Sequence, residues 1–141
     1  MALTNTPAWP QRPRYQTAGV TVANTATDGS GTITPLFAAG MDGTRVTGLY
    51  VGATATVTTT AVRFFVSHNG GSNWTYLPHL DALIPAHTLT ATTVNGGRVT
   101  VLDQNDPAEL FDLPPDTVLG FAIAVTIAGG QVIAVAMGAD Y

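Results

Sequence analysis

Short stretches rich in Val, Ile, Thr and aromatic residues alternate along almost the whole chain with clusters of Gly, Pro, Asn and Asp. These clusters, such as those at residues 28–31, 69–71 and 95–97, supply the backbone conformations that reverse a chain. No stretch shows the spacing of apolar side chains that an amphipathic helix requires. Short strands bounded by turn residues are typical of β-sandwiches and barrels. We therefore predict an all-β fold.

The predicted strands span residues 17–24, 32–38, 45–52, 59–68, 73–77, 82–93, 98–102, 118–127 and 131–138. Roughly eight or nine strands at this spacing predict a two-sheet, jelly-roll-like sandwich, with an immunoglobulin-like sandwich as the alternative. A chain of 141 residues is long enough to bury one hydrophobic core without further covalent support. Residues 17–141 are therefore assigned to a single sandwich domain.

Successive side chains of a strand point to opposite faces of the sheet, so the alternation also predicts which residues enter the core. The residues expected to face inward are Val62, Phe64 and Val66, together with either Val46 and Tyr50 or Leu49 and Val51. Phe65 then lies on the opposite face with Arg63, where it would be exposed in a monomer. This exposure makes Phe65 a candidate subunit-interface residue.

Residues 118–137 are almost entirely apolar and have the length of a membrane-spanning helix. The pair Gly129 and Gly130 divides the stretch, and no Lys or Arg follows Arg98 to anchor it at a membrane interface. Large and small side chains also alternate with the period of a strand. We therefore predict a two-stranded hairpin and no membrane contact. Its small-residue face is expected to pack against a sister subunit through Ala122, Ala124 and Ala128.

Charged residues make up only 10% of the chain, against about 25% in a typical soluble domain. There is no lysine, the only glutamate is Glu109, and the net charge is −4. A surface with so few charges has little electrostatic protection against self-association. We therefore expect much of it to be covered by neighbours in a fixed assembly, as in a homo-oligomer.

Residues 1–16 differ from the rest and are predicted to form an extended N-terminal arm. Its prolines are spaced by three, at Pro7, Pro10 and Pro13. Three residues is the repeat of a polyproline II helix, on which Trp9, Arg12 and Tyr15 would point the same way. With Arg14 beside them, these residues are the candidate partner-binding group. A disordered leader is the alternative.

Residues 67–74 resemble the Asp-box hairpin S-x-D-x-G-x-x-W, with Asn69 in place of the aspartate. In this motif the polar side chain bonds the turn backbone and the tryptophan packs beneath it. We therefore predict a tight hairpin with Trp74 buried or half-buried. A single copy in a chain of this length argues against the propellers that carry several copies.

Catalytic and cofactor signatures are weak. The histidines His68, His79 and His87 match no metal-site spacing, and the chain has no cysteine. No G-x-S-x-G element is present, and a Walker-type phosphate loop needs a lysine that the chain lacks. Five arginines against nine acidic residues provide no patch for nucleic acid. We expect no enzymatic activity, cofactor, metal or nucleic-acid partner.

The chain resembles the capsid cement, or decoration, proteins of tailed bacteriophages. The resemblance covers nearly the whole domain and is carried by residues 43–51 (GTRVTGLYV), 61–67 (AVRFFVS) and 113–120 (LPPDTVLG). It implies an oligomer, often a trimer, that binds the outer surface of an assembled capsid and clamps adjacent capsomers of the major capsid protein. The chain would then be made in the host cytoplasm and reside in the virion.

An alternative function is a carbohydrate- or receptor-binding jelly roll of a phage tail or fibre. Trp74 and Tyr76 would form its stacking platform, as aromatic rings do in sugar-binding sites. This alternative requires both rings to be exposed and coplanar, whereas the capsid function expects them to be packed.

Overall fold

The computed structural model describes residues 9–103 and 110–141. Within these residues the chain forms nine β-strands and no helix. The strands are β1 (Arg12–Val20), β2 (Thr34–Ala38), β3 (Thr44–Ala53), β4 (Thr60–Ser67), β5 (Thr75–Ile84), β6 (Arg98–Leu102), β7 (Phe111–Leu113), β8 (Val118–Ile123) and β9 (Val132–Asp140). The prediction of an all-β fold is confirmed.

Two antiparallel sheets pack against each other around one main core. The first, called the β1 sheet, has the strand order β1-β9-β3-β6, and the short β7 also pairs with β3. The second, the β2 sheet, has the order β2-β8-β4-β5. With β7 set aside, the remaining strands have the order of an eight-stranded jelly roll, in which the chain crosses repeatedly between the sheets. The jelly-roll prediction therefore holds over the immunoglobulin-like alternative.

The inward-facing residues follow the predicted alternation in β4, where Val62, Phe64 and Val66 all lie in the core. In β3 the core takes Val46 from one predicted set and Leu49 and Val51 from the other. The reason is that the pairing of β3 with β9 shifts between Val46 and Gly48. Such a bulge moves later residues to the opposite face. The core residues of β3 are consequently Val46, Leu49, Val51 and Ala53, whereas Tyr50 points outward.

The predicted hairpin of residues 118–127 and 131–138 is wrong. β8 pairs with β2 and β4, whereas β9 pairs with β1 and β3, so the two strands belong to different sheets. Residues 124–131 cross from one sheet to the other. Alternating side chains satisfy either arrangement, because the pattern records which face is buried and not which strand lies alongside. Among the described residues, no helix is long and apolar enough to cross a membrane.

The predicted boundary between arm and sandwich after residue 16 is also misplaced. Residues 12–16 are the first half of β1, and the backbone N–H of Gln11 already donates to Asp140 O at 2.7 Å. Pro13 is tolerated there because β1 is an edge strand. The sandwich therefore begins at Arg12, and residues 1–8 of the predicted arm lie outside the described residues.

A second, smaller hydrophobic cluster lies on the outer face of the β2 sheet. Its fully buried members are Ile33, Phe65 and Ala122, and the half-buried rings of Trp74 and Tyr76 pack against them. Ile33 ends the connection between β1 and β2, which packs against Trp74: an ideal Cβ at Gly29 would lie 2.1 Å from Trp74 O. This face is therefore covered by the chain itself.

The turn at residues 67–74 has the predicted Asp-box form. Asn69 Oδ1 accepts the backbone N–H of Asn73 at 2.9 Å, and Ser67 Oγ accepts that of Gly71 at 2.9 Å. These bonds direct Trp74 back over β8, where its ring lies against Gly120. A Cβ at Gly120 would lie 2.7 Å from Trp74 Cζ3. The prediction that Trp74 is half-buried is confirmed.

We predict that Gly120→Ala lowers the free energy of unfolding by about 1–3 kcal/mol, because the added methyl group must displace the Trp74 ring. The measurement is urea denaturation followed by Trp fluorescence. Gly52→Ala is the matched control, since a Cβ at this strand glycine meets its nearest atoms at 3.7–3.8 Å. Equal losses in the two variants would contradict close packing of Trp74 on Gly120.

Candidate partner-binding surfaces

Two of the candidate arm residues are widely accessible, with Trp9 70% and Tyr15 65% exposed. Arg12 is exposed as well. They do not form the predicted single stripe, because pairing with β9 imposes a period of two from Arg12 onward. Tyr15 lies opposite Met137 on the outer face of the β1 sheet, whereas Arg12 and Arg14 have the opposite orientation.

Arg14 is not free to bind a partner. Its Nη1 donates to Ala38 O at 2.6 Å and to Asp140 Oδ1 at 3.1 Å, and its guanidinium carbon lies 4.8 Å from the centre of the Phe37 ring. Gln16, with its amide oriented so that donors meet acceptors, accepts from Arg14 Nη2 at 2.9 Å and donates to Leu36 O at 3.0 Å. Arg14 and Gln16 therefore join the edge strand β1 to the edge strand β2.

Asp140 organises the same end of the sandwich. It accepts hydrogen bonds from Thr44 Oγ1 and from Arg14. Desolvation raises the pKa of Asp140, but the hydrogen bonds from Thr44 and Arg14 outweigh it, so the pKa lies below its ordinary value. Asp112 likewise has a lowered pKa, mainly because Arg45 donates to it at 2.9 Å.

The predicted subunit-interface residues do not form one surface. Phe65 and Ala122 are fully buried inside the monomer, beneath the second cluster, so the prediction that they are exposed is wrong. Ala124 is half-buried and Ala128 exposed, and both belong to the crossover of residues 124–131 rather than to a strand. The sequence did not reveal that the β1–β2 connection covers the face on which Phe65 lies.

The outer face of the β1 sheet is the surface that the sequence reasoning missed. Apart from Arg98, which ends the row of Gly52 on β6, the residues that share its three central rows are Tyr15, Thr17, Gly19, Gly48, Tyr50, Gly52, Thr100, Ile133, Val135 and Met137. We call this set the outer apolar face. No member belongs to either hydrophobic cluster, and none is charged. A usable signal was present in residues 132–137, where large and small side chains alternate.

Glycines make the outer apolar face flat. A Cβ at Gly48 would lie 3.0 Å from both Met137 Cε and Tyr50 Cε2, so these side chains lie across the strand at that position. At Gly19 the side-chain amide of Gln131 lies closest to the ideal Cβ, with Oε1 at 2.2 Å, and Ile133 Cδ1 follows at 3.0 Å. Side chains that lie over strand glycines stabilise the sheet and leave a smooth apolar surface.

Charged side chains stand only at the margin of this face. Arg45 pairs with Asp112 on β7, and the Tyr141 hydroxyl donates to Asp112 Oδ1 at 2.8 Å. Arg98 is exposed at the β6 corner, opposite Gly52. The face thus has an uncharged centre and a polar rim, which is the anatomy of a protein–protein interface.

Trp74 and Tyr76 do not form an open stacking platform. Both are half-buried, and the Tyr76 ring packs on Phe65 at 5.5 Å between centres with an angle of 41° between the planes. The Tyr76 hydroxyl is engaged by Asp81. These contacts favour a structural role for the two rings.

Titratable side chains are scattered over the described part of the chain. No three His, Asp or Glu side chains within it come close enough to hold a metal ion. The ring of His87 packs against Gly97, and neither ring nitrogen has a hydrogen-bond partner.

No protein-family model matches this chain, and no curated protein matches it significantly.

We predict that the melting temperature falls as the pH is lowered through the acidic range. Asp140 and Asp112 have lowered pKa values in the folded state, so they stabilise it above their ordinary pKa of about 4 and lose that contribution as the pH drops through the folded values. Asp140→Asn should cost roughly 1 kcal/mol at pH 7 and little at pH 2.5.

The measurement is calorimetry between pH 7 and pH 2.5. Asp42→Asn, at an exposed turn aspartate, is the control and should follow the wild-type curve. If the Asp140→Asn curve stayed parallel to the wild-type curve at every pH, the assigned role of Asp140 would be incorrect.

Proposed function

We propose that this protein is a structural component of a tailed-bacteriophage virion that binds the outer surface of the assembled capsid. It acts as a homo-oligomer, with the trimer as the state implied by the resemblance, and clamps adjacent capsomers of the major capsid protein. In this proposal it is made in the host cytoplasm and resides on the capsid exterior.

The observation that carries the proposal is the outer apolar face. A flat, uncharged surface that includes Tyr15, Tyr50 and Met137 is what a permanently covered protein surface requires, and the low charge of the whole chain points the same way. The β2 sheet covers its own outer face with the second cluster. The outer face of the β2 sheet is therefore covered within one chain, whereas the outer apolar face of the β1 sheet is open to a partner.

The start of β1 offers a second contact point. Trp9 precedes the strand and is 70% exposed, and Arg12 follows it, also exposed. Trp and Arg are the residues that most often dominate interface energetics. Arg14 is removed from the candidate anchors because its donors are already engaged within the sandwich.

Modest contacts are sufficient for such a clamp. Each copy on a capsid lattice is held by its own contact and by the contacts of the sister subunits to which it is joined. This linkage raises the effective concentration at the second site, so overall binding exceeds that of either contact alone. A domain with few charges can then bind a particle without a large electrostatic surface.

The carbohydrate- or receptor-binding function has less support. It requires an exposed platform, whereas Trp74 packs on Gly120 and Tyr76 packs on Phe65. Both rings are thereby committed to the second cluster.

We predict that Trp9→Ala weakens binding to tailed-phage capsids assembled without this protein by at least about tenfold. The variant lacks the tryptophan ring that the capsid contact would bury. The measurement is co-sedimentation over a range of protein concentrations. Val94→Ala is the matched control, since Val94 is 81% exposed in the connection between β5 and β6, at the opposite end of the sandwich.

Both variants should keep the wild-type melting temperature. Binding of Trp9→Ala as tight as that of the wild type would remove Trp9 from the capsid contact. A wild-type protein that sediments with none of the candidate capsids would overturn the proposed function itself.

A further inference from the structure

We infer that the outer apolar face is the surface through which copies of this chain associate with one another. This inference deepens the proposed function, on which it rests for the existence of the homo-oligomer, by naming the contact surface. The occupant of the face is a second copy of the same chain.

The charge distribution favours a second copy. Each chain carries a net charge of −4, so two copies repel each other wherever their acidic residues approach. None of the ten positions of the outer apolar face is charged, Arg98 stands at the β6 end of one row, and the marginal acid Asp112 is paired with Arg45. Packing two copies on the centre of this face therefore leaves these charges at its rim.

The size of the face suits the centre of an interface. At about 4.8 Å between strands and about 6.8 Å between rows of side chains, the ten positions cover roughly 330 Å². A specific interface buries roughly 800 Å² of accessible surface on each partner, with an apolar centre and a polar rim. The outer apolar face supplies that centre, and the marginal side chains of Arg45 and Arg98 supply part of the rim.

The composition of the outer apolar face also favours a second copy of this chain over a small ligand. Permanent interfaces between identical subunits are the most apolar class, and this face is made of Tyr, Ile, Val, Met, Gly and Thr. A small ligand would need polar groups to orient it. The side-chain polar groups of the ten positions are the hydroxyls of Thr17, Thr100 and the two tyrosines, and the amide of Gln131 and the guanidinium of Arg98 stand at the margin.

The edge strand β1 lies against β2 of the other sheet. A free edge strand can pair with the same strand of another copy, and β1 is an edge strand nine residues long. Arg14 and Gln16, however, donate across to the carbonyl groups of Ala38 and Leu36, so β1 is tied to β2. Contact through the outer apolar face buries apolar side chains, which pairing of edge backbone groups does not.

The test is the mass in solution by sedimentation velocity. The wild type should sediment as a multiple of 14.5 kDa, and Val135→Lys, which places a charge at the centre of the face, should weaken association at least tenfold. Leu83→Lys is the matched control, because Leu83 is a 60% exposed apolar strand residue on the outer side of the β2 sheet. It should keep the wild-type mass.

Tyr15→Lys provides a second variant that folding cannot confound, since its side chain is largely exposed on an edge strand. It should also weaken association. A wild type that is monomeric at every concentration, or face variants that keep the wild-type mass while folded, would overturn the inference.

Photo-crosslinking gives an independent readout, because the chain has no native cysteine. Thr17→Cys labelled with a benzophenone maleimide should yield crosslinked dimers, whereas labelled Leu83→Cys should not. Crosslinking from Leu83→Cys alone would place the contact on the β2 sheet and refute the inference. An oligomer that forms through the outer apolar face but binds no capsid would support the inference and overturn only the proposed function.

Discussion

The arrangement of the molecule depends on how the space between its two sheets is filled. The β2 sheet contributes the large rings of Phe37, Phe64 and Phe121 to the core, and β9 meets this core with Ala134 and Ala136. Sheets packed about 10 Å apart cannot accommodate large side chains from both sides at every position. β9 therefore turns its small residues inward and its large ones outward. The outer apolar face is a direct consequence of this core packing.

Described segments of the chain cover the outer face of the β2 sheet but not that of the β1 sheet, because the connections between the strands pack on the β2 sheet. The long β1–β2 connection brings Ile33 onto the β2 sheet, and the Asp-box turn brings Trp74 onto the same face, so Phe65 is buried within one chain. No described segment covers the outer face of the β1 sheet, where Tyr50 and Val135 lie outside both hydrophobic clusters. A chain with few charges thus covers one apolar face with its own residues, and the other is left uncovered by the described residues.

Four charged residues of the described part of the chain form ion pairs within the sandwich. Arg14 and Asp140 hold the start of β1 against β2 and β9, and Arg45 and Asp112 hold β7 against β3. These pairs lie at the end of the sandwich from which Trp9 extends. Anchoring of the strand there gives the exposed Trp9 a defined position just before β1.

Local sequence patterns determined most elements that depend on neighbours in the chain: the majority of the strands, the inward face of β4 and the turn that holds Trp74. The strands predicted at 73–77 and 82–93 are wrong, because they form the single strand β5, and β7 was not predicted. Only the tertiary structure decided which strands lie side by side, that β8 and β9 belong to different sheets, and that Phe65 is buried while Val135 is not. The reason is physical. Alternation reports that one face of a strand meets apolar neighbours, but the identity of those neighbours, and whether a loop covers the other face, depends on contacts between residues far apart in the chain.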